Sequence, residues 1–422
     1  MGLGKKLGAQ NTQTAKDVSS AHAPISEAGY NPQNLGIASA PPMTEEERKE
    51  VFSTRETAVQ DIKNVNQLEH LKRPNVPASA DADRRMINEL VVAKMWRIVC
   101  LRKLQRFYSQ EYLQKLVDRA CMHDYRLLMK KFNIATIDMT VDLAVLGLYD
   151  IVLFGDDSTS MNTEEANEDN LTRWTLLKEV VKTLSFWASL MDEDGVVVRF
   201  INKELSKDQS GGISDFATVD DIFRNTRPSG STPTARELNN KILNKFVYEY
   251  LDSKSLQRPI LIITITDGEP DGGRSGENAV RDAIVACHKR ASSSYYGEHA
   301  VAFSFAQIGT SEGASAFLER LDKDPEVGKL IDCTSEFNKE KAECERAYPG
   351  TKFTESTWLV KLMIGAVDPE YDAADEGPST SHGGPSYSNP PPSYNPQYTG
   401  QQGYNQQPQY GGQYSAPPPS YY

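Results

Sequence analysis

From Ile134 to Val367 short apolar runs alternate with amphipathic stretches, and this rhythm sets the strongest limit on the fold. The runs near 146–155, 195–201, 259–266, 300–308 and 329–333 have strand length. Between and after them, 171–191, 218–225, 234–252, 275–292, 312–322 and 355–366 carry apolar residues at helical spacing. Strands separated by helices require crossover connections, which run right-handed. The expectation is therefore an α/β fold: a doubly wound, mostly parallel central sheet of Rossmann-like type, covered on both faces.

In such sheets ligands bind where strands end, at the carboxyl edge. The run Leu148–Phe154 leads into Gly155-Asp156-Asp157-Ser158-Thr159-Ser160. An acid followed by two alternating hydroxyls offers only oxygen, which suits Mg²⁺ or Mn²⁺ and suits zinc poorly. By itself Asp-x-Ser-x-Ser also reads as a polar turn. Two further stretches change that reading. Gly230-Ser231-Thr232-Pro233-Thr234 opens a helix, and the strand Ile260–Ile265 ends in Thr266-Asp267-Gly268-Glu269.

In order and spacing the three stretches resemble the von Willebrand factor A domain and its metal-ion-dependent adhesion site, over residues 146–368. Leu148–Leu153, Met191–Phe200 and the Phe107-Tyr108 region are similar to a fungal, intracellular branch of that family. The resemblance implies metal ligation by Asp156, Ser158, Ser160, Thr232 and Asp267, the hydroxyls directly and the aspartates directly or through water. It also implies an open coordination position for a partner's Asp or Glu. The chain departs from the family pattern at Thr159, where Gly is usual, and at Gly155, where an apolar residue is usual. Asp157, Glu164, Glu165, Glu168 and Asp169 are expected to add negative charge near the mouth, and Glu269 and Asp271 to be rim residues, with a calcium turn as the alternative.

The rest of the chain divides by composition. Residues 1–80 are mostly polar and read as disordered, except for a candidate helix at 44–72. Thr44 and Glu47 form its capping box, and Val51, Ala58, Val59, Ile62, Val65 and Leu68 form its apolar side. Residues 84–133 read as a basic helical hairpin, with twelve Lys and Arg against four Asp and Glu over 84–131. That charge reads as a solvated face. Its alternatives are peripheral contact with anionic lipid, RNA, or the protein's own acidic loops. Residues 369–422 contain no Lys, Arg, Val, Leu or Ile, and should be disordered. Within this tail Pro391-Pro392-Ser393-Tyr394 and Pro418-Pro419-Ser420-Tyr421 resemble Pro-Pro-x-Tyr ligands of WW domains. A pre-organised polyproline segment suits such a groove, and two copies would add avidity for a multi-WW partner such as a HECT-class ubiquitin ligase. Self-association of the Tyr/Gln/Gly-rich tail is the competing reading.

Net charge of −12 argues against a nucleic-acid protein. Five scattered cysteines, a polar Met1–Asp17 without a signal-peptide core and no stretch able to span a bilayer lead to the expectation of a cytoplasmic protein. The six histidines fall in no motif, and no nucleophile elbow, Walker loop or dinucleotide fingerprint is present. The sequence therefore points to a non-catalytic, metal-dependent adaptor. A scaffold with a purely structural ion and a metal-assisted hydrolase are the alternatives.

Overall fold

A computed structural model describes residues 42–62, 70–166, 170–206, 211–347 and 349–372. The tail with its Pro-Pro-Ser-Tyr motifs, Val65 and Leu68 of the candidate helix, and the acids Glu168 and Asp169 lie outside these described residues.

Five parallel strands form the central sheet: β1 (Asp150–Gly155), β2 (Val197–Phe200), β3 (Ile260–Thr266), β4 (Val301–Gln307) and β5 (Ile331–Thr334). Their order is β2-β1-β3-β4-β5. Gly155 lies opposite both Phe200 and Ile265, so β1 is flanked by β2 and β3 in matched register. The chain leaves β1 towards one edge and returns on the other side to start β3. The carboxyl ends of β1 and β3 therefore flank the topological switch point, where ligands enter open α/β sheets. All seven residues of β3 are buried, which is why it reads as a continuous apolar run rather than an alternating one. The five expected strands are present and all parallel. Antiparallel pairing among the described residues lies outside these five strands, in a bridge between Val196 and Ile213 beside β2 and in a short pair, Glu164–Glu165 with Leu171–Thr172.

The first apolar run contains less strand than its hydrophobicity suggested. Leu143–Leu148 is a 3₁₀ helix, and sheet pairing starts where Asp150 N–H donates to Pro259 O at 2.9 Å. This helix is buried by a helical cap, so its apolarity reports burial and not extension.

The cap is more than a hairpin. Ala82–Leu101, Gln110–Ala120, Tyr125–Phe132 and Ile137–Asp142 are all helical, and Glu45–Asp61 packs on the first of them. That outer helix has the Thr44–Glu47 capping box but ends at Asp61, and residues 71–79 are not helical. Several of the basic residues are interior rather than solvated. Lys94 is buried between Asp138 and Asp142, and Arg126 reaches Asp83. Arg97 joins Asp61, Asp368 and Glu370. Part of the cap's positive charge thus meets the protein's own acids. Removing one partner of a buried pair costs about 3–5 kcal/mol, which makes these residues fixtures of the cap.

The cap sits on the amino-terminal edge of the sheet. The Tyr108 hydroxyl donates to Leu148 O just before β1, and Arg119 to Ser189 O on the approach to β2. Arg106 and Lys103 reach Tyr295 O and Glu298 just before β4. The opposite, carboxyl edge is left uncovered by these helices.

Candidate metal centre

Asp156 and Asp267 follow adjacent strands and meet at the switch point. Asp156 N–H continues the ladder by donating to Ile265 O at 2.9 Å. Its carboxylate accepts from Ser158 N–H at 2.8 Å and from the Thr266 hydroxyl at 2.7 Å. Burial first, and then the neighbouring charge of Asp267, push the Asp156 carboxyl up to about 6. The Ser158 and Ser160 hydroxyls are 2.9 Å apart, and Ser160 Oγ–H donates to Asp267 Oδ1 at 2.8 Å. Ser158 is buried and Ser160 is exposed, so the chain of oxygens runs from the interior to the surface.

Among the described residues Thr232 makes no hydrogen bond to Asp156, Ser158, Ser160 or Asp267 and is bonded instead to Asp271. Its N–H donates to Asp271 Oδ1 at 2.8 Å, and its carbonyl accepts from Asp271 N–H at 2.9 Å. The Asp271 carboxylate also accepts from the Ser231 hydroxyl at 2.5 Å. Asp271 therefore positions the Thr232 loop, with its carboxylate committed to that loop rather than free on the rim. Two residues earlier, Gly230 O accepts from both the backbone N–H and the hydroxyl of Thr159, each at 3.0 Å. Thr159 in place of the usual glycine thus ties the first loop to the second. Gly155 has an equally local cause: a Cβ there would stand 3.2 Å from the Phe200 ring and 3.3 Å from Leu177.

Two of the expected mouth acids have other tasks. Asp157 is buried, and its carboxylate accepts from Asn202 N–H at 2.6 Å and Lys203 N–H at 2.8 Å. It fastens the segment after β2 and adds no open charge to the mouth. Glu165 is also buried. It lies in a short antiparallel pair, Glu164–Glu165 with Leu171–Thr172, and accepts from Thr310 N–H and Oγ–H after β4. Burial presses the Glu165 carboxyl upwards, but these bonds and Arg173 hold it below the usual range.

Sequence reasoning missed Arg173. Thr172 caps the helix Arg173–Met191, and this places Arg173 on its first turn, facing the switch point. Its Nη1 donates to Asp267 Oδ2 at 2.8 Å and its Nε to Glu165 Oε1 at 2.5 Å. Asp267 thus has one oxygen on Ser160 and the other on a guanidinium. Gly309 makes room for this fork, since a Cβ there would stand 2.5 Å from Arg173 Nε. Only the pairing itself reveals this role, because an arginine opening a helix carries no sequence signal.

The donor set fits a small hard cation. Oxygens on neighbouring vertices of an octahedron with bonds near 2.1 Å are roughly 3.0 Å apart. The Ser158–Ser160 and Ser160–Asp267 separations, 2.9 and 2.8 Å, match that edge. Among the described residues no group of three or more His, Cys, Asp and Glu is placed to hold a metal. A cation at this edge would rest on hydroxyls and two carboxylates.

No protein-family model matches the chain, and no curated protein matches it. Among solved structures it is similar to the manganese-loaded TRAP protein of Plasmodium vivax, at 13% identity over 49% of this chain and 75% of that one, with a TM-score of 0.29. It is also similar to proximal thread matrix protein 1 from the mussel byssus. The form with a zinc-occupied MIDAS motif is 15% identical over 69% of this chain and 66% of that one, with a TM-score of 0.31. A second structure of the same protein is 14% identical with a TM-score of 0.29. The manganese and the zinc belong to those proteins; at such distances the likeness decides neither ligand nor partner here, and the site rests on its own geometry.

Proposed function

We propose that the chain is a non-catalytic, divalent-cation-dependent protein-interaction adaptor. Asp156, Ser158, Ser160, Thr232 and Asp267 hold Mg²⁺ or Mn²⁺ at the carboxyl edge, and an Asp or Glu of a protein partner completes the coordination. The observation that carries this reading is the run of oxygens from Ser158 through Ser160 to Asp267 at the switch point, beside Asp156. Neutral hydroxyl ligands leave the ion electrophilic, and the exposed Ser160 end gives it an open side.

Docking is favoured over a purely structural ion by the loops themselves. Thr159 with Gly230, Thr232 with Asp271 and Thr266 with Asp156 already join the three loops by hydrogen bonds, so no ion is needed to stitch them. Hydrolysis is disfavoured because hydrogen-bond donors occupy both carboxylates, which leaves neither poised as a general base. The two Pro-Pro-Ser-Tyr motifs at Pro391, Pro392, Tyr394 and Pro418, Pro419, Tyr421 supply a second device, recruitment of a WW-domain protein such as a HECT-class ligase. That part of the reading rests on the motifs alone, and a cytoplasmic setting fits it.

Thermal unfolding of the full chain in EDTA, Mg²⁺, Mn²⁺ and Ca²⁺ tests the site. An ion at 100 times its Kd should stabilise the native state by about 2.7 kcal/mol. Asp156→Ala and Ser160→Ala should abolish that gain, and an Asp/Glu-bearing peptide should bind the wild type only with the ion present. Wild type and variants that respond alike to every ion would refute the assignment.

A further inference from the structure

A second polar site lies on the opposite edge of the sheet. A cavity of about 60 Å³ opens between the cap and the amino-terminal ends of β4 and β5. It has room for roughly four water-sized groups. Arg102, Tyr149, His288, His299, Lys329 and Glu298 contribute its polar lining.

This lining has more donors than acceptors. Arg102 commits Nε to Val367 O at 3.0 Å and Nη2 to Ala366 O at 3.4 Å, which leaves Nη1 without a protein acceptor among the described residues. Tyr149 is 1% exposed, yet its hydroxyl has no protein hydrogen-bond partner among the described residues. Arg102 and Tyr149 both line the cavity. Lys329 is exposed and has no ion-pair partner among the described residues. Of the nearby carboxylates, Glu298 pairs with Lys103 at 3.2 Å and stands 3.7 Å from His299 Nε2 within the lining, and Asp368 pairs with Arg97 at 2.8 Å. Burial first, and then the charge of Arg102, lower His299 to about 4, so His299 faces the cavity as a neutral ring. In a chain of net charge −12, Arg102 and Lys329 bring two positive charges to one cavity. The Tyr149 hydroxyl is not sealed from the cavity, so it is free to donate to whatever enters that space.

We propose that the cavity binds a tetrahedral oxyanion, a phosphate group, held by Arg102 Nη1 and the Tyr149 hydroxyl, with His288, His299 and Lys329 around it. The donors come from separate elements: the end of the helix Ala82–Leu101, the residue before β1, the helix Arg274–Ser293 and the turns before β4 and β5. Donors converging from several sides suit a tetrahedral anion better than a planar carboxylate. The group is either free phosphate or the phosphomonoester of a larger molecule.

The test uses the full chain in EDTA, so that the metal centre stays silent and the two sites are judged separately. Phosphate affinity is measured by calorimetry and thermal shift, with chloride and acetate at matched ionic strength. Tyr149→Phe removes only the unpartnered hydroxyl. It should leave the free protein as stable as before while weakening phosphate about tenfold or more. Lys329→Gln should weaken it about two- to threefold. A response to inorganic phosphate alone assigns a free anion. An equal or stronger response to glycerol phosphate assigns the phosphate of a larger molecule. The proposal is overturned by acetate acting as well as phosphate, by no response in the wild type, or by Tyr149→Phe binding as the wild type does.

Discussion

Arg173→Gln separates two roles that the Arg173 side chain combines. The guanidinium joins Asp267 and Glu165, both essentially buried, and is itself 12% exposed. Its removal leaves two buried carboxylates without their cation, which costs about 3–5 kcal/mol. The same guanidinium opposes any metal ion at the switch point. At a separation of roughly 6 Å a single charge would oppose a divalent ion by about 1.4 kcal/mol at the dielectric of water, and by about 5.5 kcal/mol at an effective dielectric near 20. Even the screened value is tenfold in affinity. Arg173→Gln should therefore lower the urea midpoint in EDTA and tighten Mg²⁺ or Mn²⁺ at least tenfold by calorimetry. The cation should restore more stability to the variant than it adds to the wild type. Arg173→Lys keeps the charge and loses the fork, so it should destabilise the protein without tightening the ion. A folded Arg173→Gln variant with unchanged or weaker cation affinity would refute this reasoning and make Arg173 a simple brace.

Two further perturbations read other parts of the fold. Burial, and then the charge of Asp138, push the half-buried Glu50 carboxyl up to about 7. The native state therefore holds this proton more tightly than the unfolded chain, and stability is full below the ordinary glutamate range and falls as pH rises to about 7. Glu50→Gln should flatten the decline between pH 5 and 8, recovering up to about 2 kcal/mol at the alkaline end in urea unfolding. Asp157→Asn replaces one of two acceptors with a donor facing backbone N–H groups, so it should cost about 2 kcal/mol. Because Asp157 faces away from the mouth, cation affinity of the folded variant should stay within about threefold of the wild type.

The sequence displayed the sheet clearly because each parallel strand is buried on both faces and reads as one apolar run, as β3 does. The meeting of Asp156 and Asp267 was legible for a related reason: both directly follow such runs, so strand register alone brings them together. What the sequence hid depends on pairing at a distance. Asp157 is one residue from a candidate ligand, yet its partners are backbone N–H groups 45 and 46 residues away. Arg173 and Glu165 look like ordinary surface charges until the loop after β4 closes over them. The basic segment 84–131 looked solvated because its counter-charges lie outside it, at Asp138, Asp142 and Asp368. Composition can count charges within a window, but it cannot show which are matched across the fold.

The cap gives the sheet two chemically different edges. At the carboxyl edge oxygens converge and Arg173 is paired with Asp267, whereas at the amino edge Arg102 and Lys329 face a cavity whose nearby acids are already engaged. The last described segment belongs to the amino edge as well: Arg97 holds Asp368 and Glu370, and the Tyr371 hydroxyl donates to Asp142 at 2.7 Å. The helix Glu45–Asp61 is held there through the same Arg97. Neither described end of the chain therefore competes for the metal edge. A cation and an oxyanion would bind at opposite ends of the same parallel strands, too far apart for direct repulsion or attraction to survive physiological screening. Any coupling between them has to pass through the strands β1, β3 and β4, whose lower ends carry Tyr149 and Val301 and whose upper ends carry Asp156, Asp267 and Gly309. Phosphate affinities measured with and without Mg²⁺ would detect it. Equal values would mean two independent sites on one scaffold, and unequal values must be mirrored by a matching change in Mg²⁺ affinity.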